Sequence, residues 1–448
     1  MTRLHSLPAF CLWAALCFAP GLLAADEPPA FPPARSAVEC TPRNGLPNFL
    51  AKASAGGELK VAYLGGSITA QPGYRVKTLA HLSSLYPKAK FREVNAAIGG
   101  TGSDLGAFRL QHDVLDASPD FMFVEFAVND GGTPPADIVK AMEGIVRKTW
   151  KAFPSCDICF VYTFTDKMLE ELKSGKLNRS AATMEVVADR YGIPTIHMGL
   201  EAVRLEGEGK LVMKAAGGQM ERVAGEELNT SAPFAVNAEG KIVFSQDGVH
   251  PHVNTGHRLY TEAVARSLPQ IVKASAAPAP HTLPAPLDAK NYENTAMLSL
   301  DKGRLSGSWT KLPSDTGLGK SYENRLGTLW KGEPGAELAF RFKGSAARIY
   351  DLLGPDCGKL EVTVDGTVST LQRFDPYCTG HRLRNSSLAR GLDESAVHDV
   401  KVRVLPDALD KEKILFEKNR PDFAKSPDKY APTNWYAGAI FLIGELVE

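Results

Sequence analysis

Leu59-Lys60-Val61-Ala62-Tyr63-Leu64-Gly65-Gly66-Ser67-Ile68-Thr69 reads as a buried strand that stops at two glycines and hands one serine to the start of a helix. Leu59 to Leu64 is an apolar run of strand length, and the two glycines allow backbone angles and close approaches that a Cβ would forbid. Ser67 then stands at the carboxyl end of a strand, which is where open α/β sheets place their ligands. The same residues would also serve as a plain turn with Ser67 as helix N-cap, so the rest of the chain decides between the two readings.

Outward from this stretch, strands and helices alternate. Helical spacing predicts Tyr74 to Tyr86, Leu105 to Leu115, Ile138 to Trp150, Ala181 to Tyr191 and Thr255 to about Val272. Strands are expected at Phe91 to Ile98, Phe121 to Val128, Ile158 to Thr163 and Pro194 to His197. Crossover helices of this length imply a parallel sheet covered on both faces, a three-layer α/β/α domain. Residues 205 to 244 interrupt the rhythm with glycines and charges and two short strand-like pieces, Lys210 to Met213 and Lys241 to Phe244. An insertion of that size is usually functional or mobile.

Residues 275–286 are rich in Pro and Ala, a stiff extended linker by composition. Beyond them the period changes to two: Leu338, Phe340 and Phe342; Leu360, Val362 and Val364; and Val400, Val402 and Val404 each alternate with polar residues. Asp365-Gly366 between two such runs is a hairpin signal, and Trp435 to Leu442 is expected to close a β-sandwich. The expected organisation is a signal peptide at 1–25, an α/β domain at 26–274, the linker, and an all-β sandwich, jelly-roll-like, at 287–448. Trp309, Trp330, Trp435 and Tyr436 would form either sandwich core or a sugar-stacking platform.

The chain has 448 residues, too many for one ordinary core, and its 51 basic and 51 acidic side chains leave no net charge to draw it to nucleic acid or an anionic membrane. Arg3, the apolar run from Pro8 to Phe18, and Ala24-Ala25 have the layout of a secretory signal; the run is too short for a membrane span and nothing later is long enough. Leu16 before Cys17 argues against a lipid anchor. The expectation is therefore a secreted or periplasmic protein. Cys40, Cys156, Cys159, Cys357 and Cys378 would then meet an oxidising compartment. Cys357 and Cys378 flank the hairpin and could staple it, while Cys156-x-x-Cys159 leads into a strand and lacks a second ligand pair at zinc-finger spacing, so a structural disulfide or a pair of inert thiols is expected there. Asn178, Asn229 and Asn385 begin Asn-x-Ser/Thr sequons.

A serine hydroxyl needs a base to take its proton, and the base needs a partner that orients it. Among ten histidines, His250 stands out because Asp247 precedes it by three residues in a Gly-containing loop, near enough to hold the imidazole tautomer. Donors for an oxyanion are available after two further strands. Gly99-Gly100-Thr101-Gly102 follows the second, misses the dinucleotide spacing and lacks Gly-Lys-Ser/Thr; Asn129 follows the third.

Gly-Gly-Ser-Ile-Thr around Ser67, the Gly100 loop, Val128-Asn129-Asp130 and Asp247-Gly248-Val249-His250-Pro251 occur in the order and strand context of the SGNH (GDSL-type) hydrolase family, which residues 58 to 272 closely resemble. The resemblance implies a flavodoxin-like α/β/α fold. It also implies Ser67 as nucleophile, His250 as base and Asp247 as its orienting acid, with the oxyanion held by the N–H groups of Ser67 and Gly100 and by the Asn129 side chain. No metal or other cofactor is implied. Gly66 replaces the Asp of the family name, and Val128 stands where a smaller residue is usual.

Asn129-Asp130-Gly131-Gly132 is similar to the matching stretch of the rhamnogalacturonan acetylesterases within the family. The expected substrate is an acetylated glycan, polysaccharide or oligosaccharide, deacetylated through an acetyl-enzyme. The alternatives are a lipolytic esterase for longer acyl chains, and a glycan-binding protein with an inactive hydrolase scaffold.

Overall fold

The structure is a computed structural model that describes residues 31–215 and 233–447; the expected signal peptide and the Asn229 sequon lie outside the described residues. The strands of the first half are β1 (Cys40–Thr41), β2 (Gly57–Gly65), β3 (Ala89–Ala97), β4 (Phe121–Glu125), β5 (Asp157–Tyr162) and β6 (Thr195–His197). They form one sheet in the order β1-β6-β5-β4-β2-β3, with only β1 antiparallel. Without that edge strand, the order is the flavodoxin-like one, in which the connections reverse direction at the first parallel strand, here β2.

Side chains alternate across this sheet, and both faces are covered. Val61, Tyr63, Phe121, Phe123, Cys159 and Val161 face one core; Ala62, Leu64, Met122, Val124, Phe160 and Tyr162 face the other. Helices α1 (Pro47–Ala55), α2 (Ser67–Ala70), α3 (Tyr74–Leu85), α4 (Ser103–Asp113), α5 (Pro135–Ala152), α6 (Leu169–Lys173), α7 (Arg179–Tyr191), α8 (Leu200–Gly207) and α9 (Gly256–Ala274) supply the outer layers. Residues of α1, α3, α8 and α9 close the first core, and those of α4, α5 and α7 the second. The expected strands and helices form within a few residues of their predicted ends. α1 and β1 were not foreseen. The third expected strand stops at Glu125 rather than Val128, where the chain turns into a short 3₁₀ segment, Asn129–Gly132. The two strand-like pieces of the insertion are β7 (Leu211–Lys214) and β8 (Ile242–Ser245), paired in parallel.

Residues 275–286 lie along the first domain instead of standing free. His281 Nε2 is 2.7 Å from Asp157 Oδ1 and its ring stacks on Trp150, while Arg147 donates to the Pro284 carbonyl.

The second half is all-β. Its strands are β9 (Thr295–Ser299), β10 (Arg304–Ser306), β11 (Trp309–Lys311), β12 (Trp330–Gly332), β13 (Glu337–Leu353), β14 (Lys359–Val364), β15 (Thr367–Gln372), β16 (Arg382–Arg390), β17 (Val397–Val404) and β18 (Trp435–Val447), all pairing antiparallel. The long strand β13 pairs with β18 along one edge and with β17 and then β16 along the other. Asp365 and Gly366 both take positive φ, as a two-residue primed turn between right-twisted strands requires.

Two alternatives left open by the sequence are resolved here. The five described cysteines are all free. Cys156 and Cys159 belong to cores on opposite faces of the first sheet, so the pair cannot bridge, and burial pushes the thiols of both far above their ordinary value. Cys357, in the cluster beneath α4, and Cys378, beside Phe374 and Tyr430, are both free thiols, so no staple forms. The aromatic platform is core: Trp435 is fully buried and donates to Asp351, Tyr436 is buried, and Trp309 and Trp330 pack against the same cluster.

The two halves share a packed boundary. Leu105 and Phe108 of α4 join Tyr350, Tyr436 and Phe441 in one buried cluster, with the Phe108 and Phe441 rings stacked 5.0 Å apart. Arg348 caps it with a 3.0 Å ion pair to Asp104, and Arg147 of α5 bonds Glu293 at 2.7 Å.

Candidate active site

Three adjacent parallel strands end level with one another: Gly65 of β2 is in register with Ala97 of β3 and with Glu125 of β4. The loops that follow therefore emerge together, at the point where the strand order reverses. They carry Ser67, the Gly99–Gly102 segment and Asn129. The fourth piece, Asp247 to His250, follows β8 and precedes α9.

Nε2 of His250 lies 2.9 Å from Ser67 Oγ, and Nδ1 of His250 lies 2.7 Å from Asp247 Oδ2. The other carboxylate oxygen accepts from the backbone N–H groups of His250 at 2.7 Å and Val249 at 2.9 Å. Burial alone would raise the Asp247 pKa, but the His250 ring and these two N–H groups hold it down to about 2. An ionised carboxylate facing Nδ1 places the imidazole proton there and leaves Nε2 free to accept the serine proton. The His250 and Asp247 side chains are 37% and 51% exposed, so the line of groups is open to substrate and water.

The donor side is equally compact. A Cβ built on Gly66 would stand 2.0 Å from Asn129 Oδ1, so the Asn129 amide occupies the space that a side chain at position 66 would need. This is a physical reason for Gly where the family name has Asp. Gly99 packs beside Ser67, its added Cβ reaching 3.4 Å from the Ser67 Cβ, and the next residue, Gly100, takes φ +75°. Asp130 ties this loop to the Asn129 turn by accepting from the Ser103 N–H at 3.1 Å. Burial pushes the Asp130 carboxyl up to about 6, against the pull of the Ser103 bonds. Every residue predicted for the site is thus at this sheet rim.

Two buried carboxyls, Asp130 of the Val128-Asn129-Asp130 block and Glu125, carry no role that the sequence alone assigned. A charged residue inside the apolar run from Phe121 to Val128 was the available signal for Glu125. Elsewhere, Asp356, Cys357 and His381 bring ligand-type atoms within 4.8 Å of one another in the second half. The Asp356 carboxylate there already accepts from Asn434 and Tyr436 and lies 2.7 Å from His381 Nε2. The cluster reads as a hydrogen-bonded knot.

No curated protein matches the chain. Among solved structures, a two-domain esterase (CEX) active on acetylated mannans aligns over 92% of this chain and 98% of its own, at 19% identity and a TM-score of 0.66. The same esterase co-crystallised with mannopentaose aligns over the same shares at 19% identity and a TM-score of 0.64. This likeness extends the shared fold over both halves. Residues 63–259 match the family described as GDSL-like Lipase/Acylhydrolase. Ser67, Gly100, Asn129, Asp247 and His250 all fall within that span, so the first domain of this chain is similar to the GDSL-like lipase/acylhydrolase family at every residue predicted for the site.

Proposed function

We propose that the chain is a carbohydrate O-acetylesterase that works through an acetyl-enzyme. The reading rests above all on the unbroken line Ser67–His250–Asp247, at 2.9 and 2.7 Å. Ser67 Oγ attacks the acetyl carbonyl as its proton passes to His250 Nε2, and the new oxyanion is held by the N–H groups of Ser67 and Gly100 and by the Asn129 amide. Collapse of the intermediate expels the sugar oxygen, which takes the proton from His250. A water molecule, deprotonated by the same nitrogen, then releases acetate and restores Ser67.

The choice of an acetylated glycan is supported by the two-domain likeness to an esterase active on acetylated mannans and by the similarity of Asn129-Asp130-Gly131-Gly132 to rhamnogalacturonan acetylesterases. Export, read from residues 1–25, belongs to the same proposal. Among the described residues no helix is long and apolar enough to cross a membrane. Acetate release from a panel of acetylated mannan, xylan and pectin fragments, with Ser67→Ala as control, tests the activity. Release from at least one glycan, lost in Ser67→Ala, is expected. A preference for long-chain esters would favour the lipolytic alternative instead.

A further inference from the structure

Glu125 ends β4 directly beneath the nucleophile turn, is 1% exposed, and has no part in the chemistry proposed above. Two of the donors that converge on its carboxyl come from the turn itself. The Gly66 N–H, one residue before Ser67, donates to it. The Thr69 hydroxyl, two residues after Ser67, donates to Oε2 at 3.1 Å and is also in contact with the Tyr74 hydroxyl at 2.8 Å. A third donor, the Thr163 hydroxyl just past β5, reaches Oε1 at 2.7 Å and fixes the carboxyl from the other side.

Burying a carboxyl in a strand core is costly, and an aliphatic side chain would fill the same space. The group is matched by three donors, two of which bracket one serine. Because Asn129 packs against Gly66, a shift of that residue would also move the Asn129 amide relative to the Ser67 N–H.

We propose that Glu125 is a positioning residue: by accepting from Gly66 and Thr69 it fixes the turn that aims the Ser67 hydroxyl at His250, with Thr163 locking the carboxyl in place. This rests on Ser67 being the nucleophile. The ionisation of Glu125 fits such a role, since burial pushes it up to about 7 against the pull of Thr163, Thr69 and Gly66. The titratable groups around it are Asp130, whose charge raises it further, and the hydroxyls of Tyr74 and Tyr260, both held far above their ordinary range by burial. A protonated Glu125 keeps one fewer acceptor for the three donors, so the turn slackens as the pH falls through this range.

The test compares wild type with Glu125→Gln, Glu125→Ala and Thr163→Val. Three quantities are measured: kcat and KM on a small acetyl ester, the rate of Ser67 labelling by an organophosphonate, and the pH profile of kcat. Glu125→Gln is expected to lower kcat by about 10- to 100-fold with KM within about twofold, the size expected when a reacting group is displaced by about an ångström. Labelling should slow by the same factor, the acid limb of the profile should shift, and Glu125→Ala should be worse than Gln. Thr163→Val leaves the nucleophile turn itself untouched and should lower kcat in the same sense, which keeps the test valid if the Glu125 variants fail to fold. Wild-type kcat and labelling rate in folded Glu125→Gln, or in Thr163→Val, overturn the proposal. Absence of Ser67 labelling in wild type is a different failure, that of the nucleophile assignment, and the positioning role falls with it.

Discussion

Ser67 Oγ and His250 Nε2 are 2.9 Å apart across 183 positions of sequence, and only the assembled sheet with α9 packed on one face brings them together. β2 presents the serine at its carboxyl end, and the β8–α9 connection carries the imidazole to it. The Asp247 carboxylate, bonded to the ring and to two backbone N–H groups, sets the ring's orientation.

Removing members of this line should have unequal effects. Ser67→Ala is expected to abolish acetate release and phosphonate labelling with an unchanged thermal midpoint, since Ser67 lies at a half-exposed turn. Asp247→Asn keeps the shape but favours the wrong imidazole tautomer, and should lower kcat by up to about 10⁴-fold. Because Asp247 titrates at about 2, below its ordinary value, its contribution to stability is present above about 4 and is lost only as the pH falls through about 2. Titration of Asp247 itself is therefore expected to add no limb to the activity profile between pH 4 and 9. Steady-state rates between pH 4 and 9 check both points.

At the oxyanion side, Gly66→Ala should act as an indirect Asn129 variant. The added methyl would overlap the Asn129 amide and displace it. Loss of one oxyanion donor typically lowers kcat by about 10²- to 10³-fold. Gly66→Ala and Asn129→Ala should both fall in that range, and the double variant should lose little more than either alone. A double-mutant cycle on kcat measures this.

Thermal stability should report on Glu125 separately from activity. Its carboxyl is raised from 4.5 to about 7, so folding favours the protonated form. The stability that this preference supplies is complete below about pH 4.5 and is lost as the pH rises through about 7. The midpoint of wild type relative to Glu125→Gln should therefore decline by a few degrees across that window. Asp130 is present in both proteins and cancels. Melting curves from pH 4 to 8 decide it; a constant difference would show that Glu125 does not titrate there.

The packed boundary predicts that the second half is a structural partner of α4, whatever else it does. Phe441→Ala removes a fully buried ring stacked on Phe108 and is expected to cost about 3–5 kcal/mol. Deleting residues 280 to 448 would expose Leu105 and Phe108 on the helix that begins at the oxyanion loop. The truncated chain should lose activity on small esters as well as on polymer, and should aggregate on warming. Light scattering beside an ester assay tests this; full activity of the truncated chain on a small ester would contradict it.

What the sequence by itself determined is local or periodic. The Leu59–Gly65 run ending at Ser67, the helix-length crossovers, the change to period two after residue 286 and the Asp365-Gly366 turn each need only neighbours to be read, and each forms as expected. The blocks at Ser67, Gly100 and Asn129 were legible together because loops at the ends of adjacent parallel strands must converge, whereas Asp247–His250 follows β8, outside that sheet, and was legible only as a local Asp-x-x-His pair. Tertiary structure alone decided what depends on partners far along the chain. β1 owes its place to pairing with the edge strand β6, and α1 to packing on one face of the sheet. Cys156 and Cys159 are separated by the sheet between them. Trp435 turns inward because Asp351 lies there to accept from it. Glu125 is a lone charged residue in an apolar strand, and its partners Gly66, Thr69 and Thr163 are brought to its carboxyl from two other strand ends only by the fold.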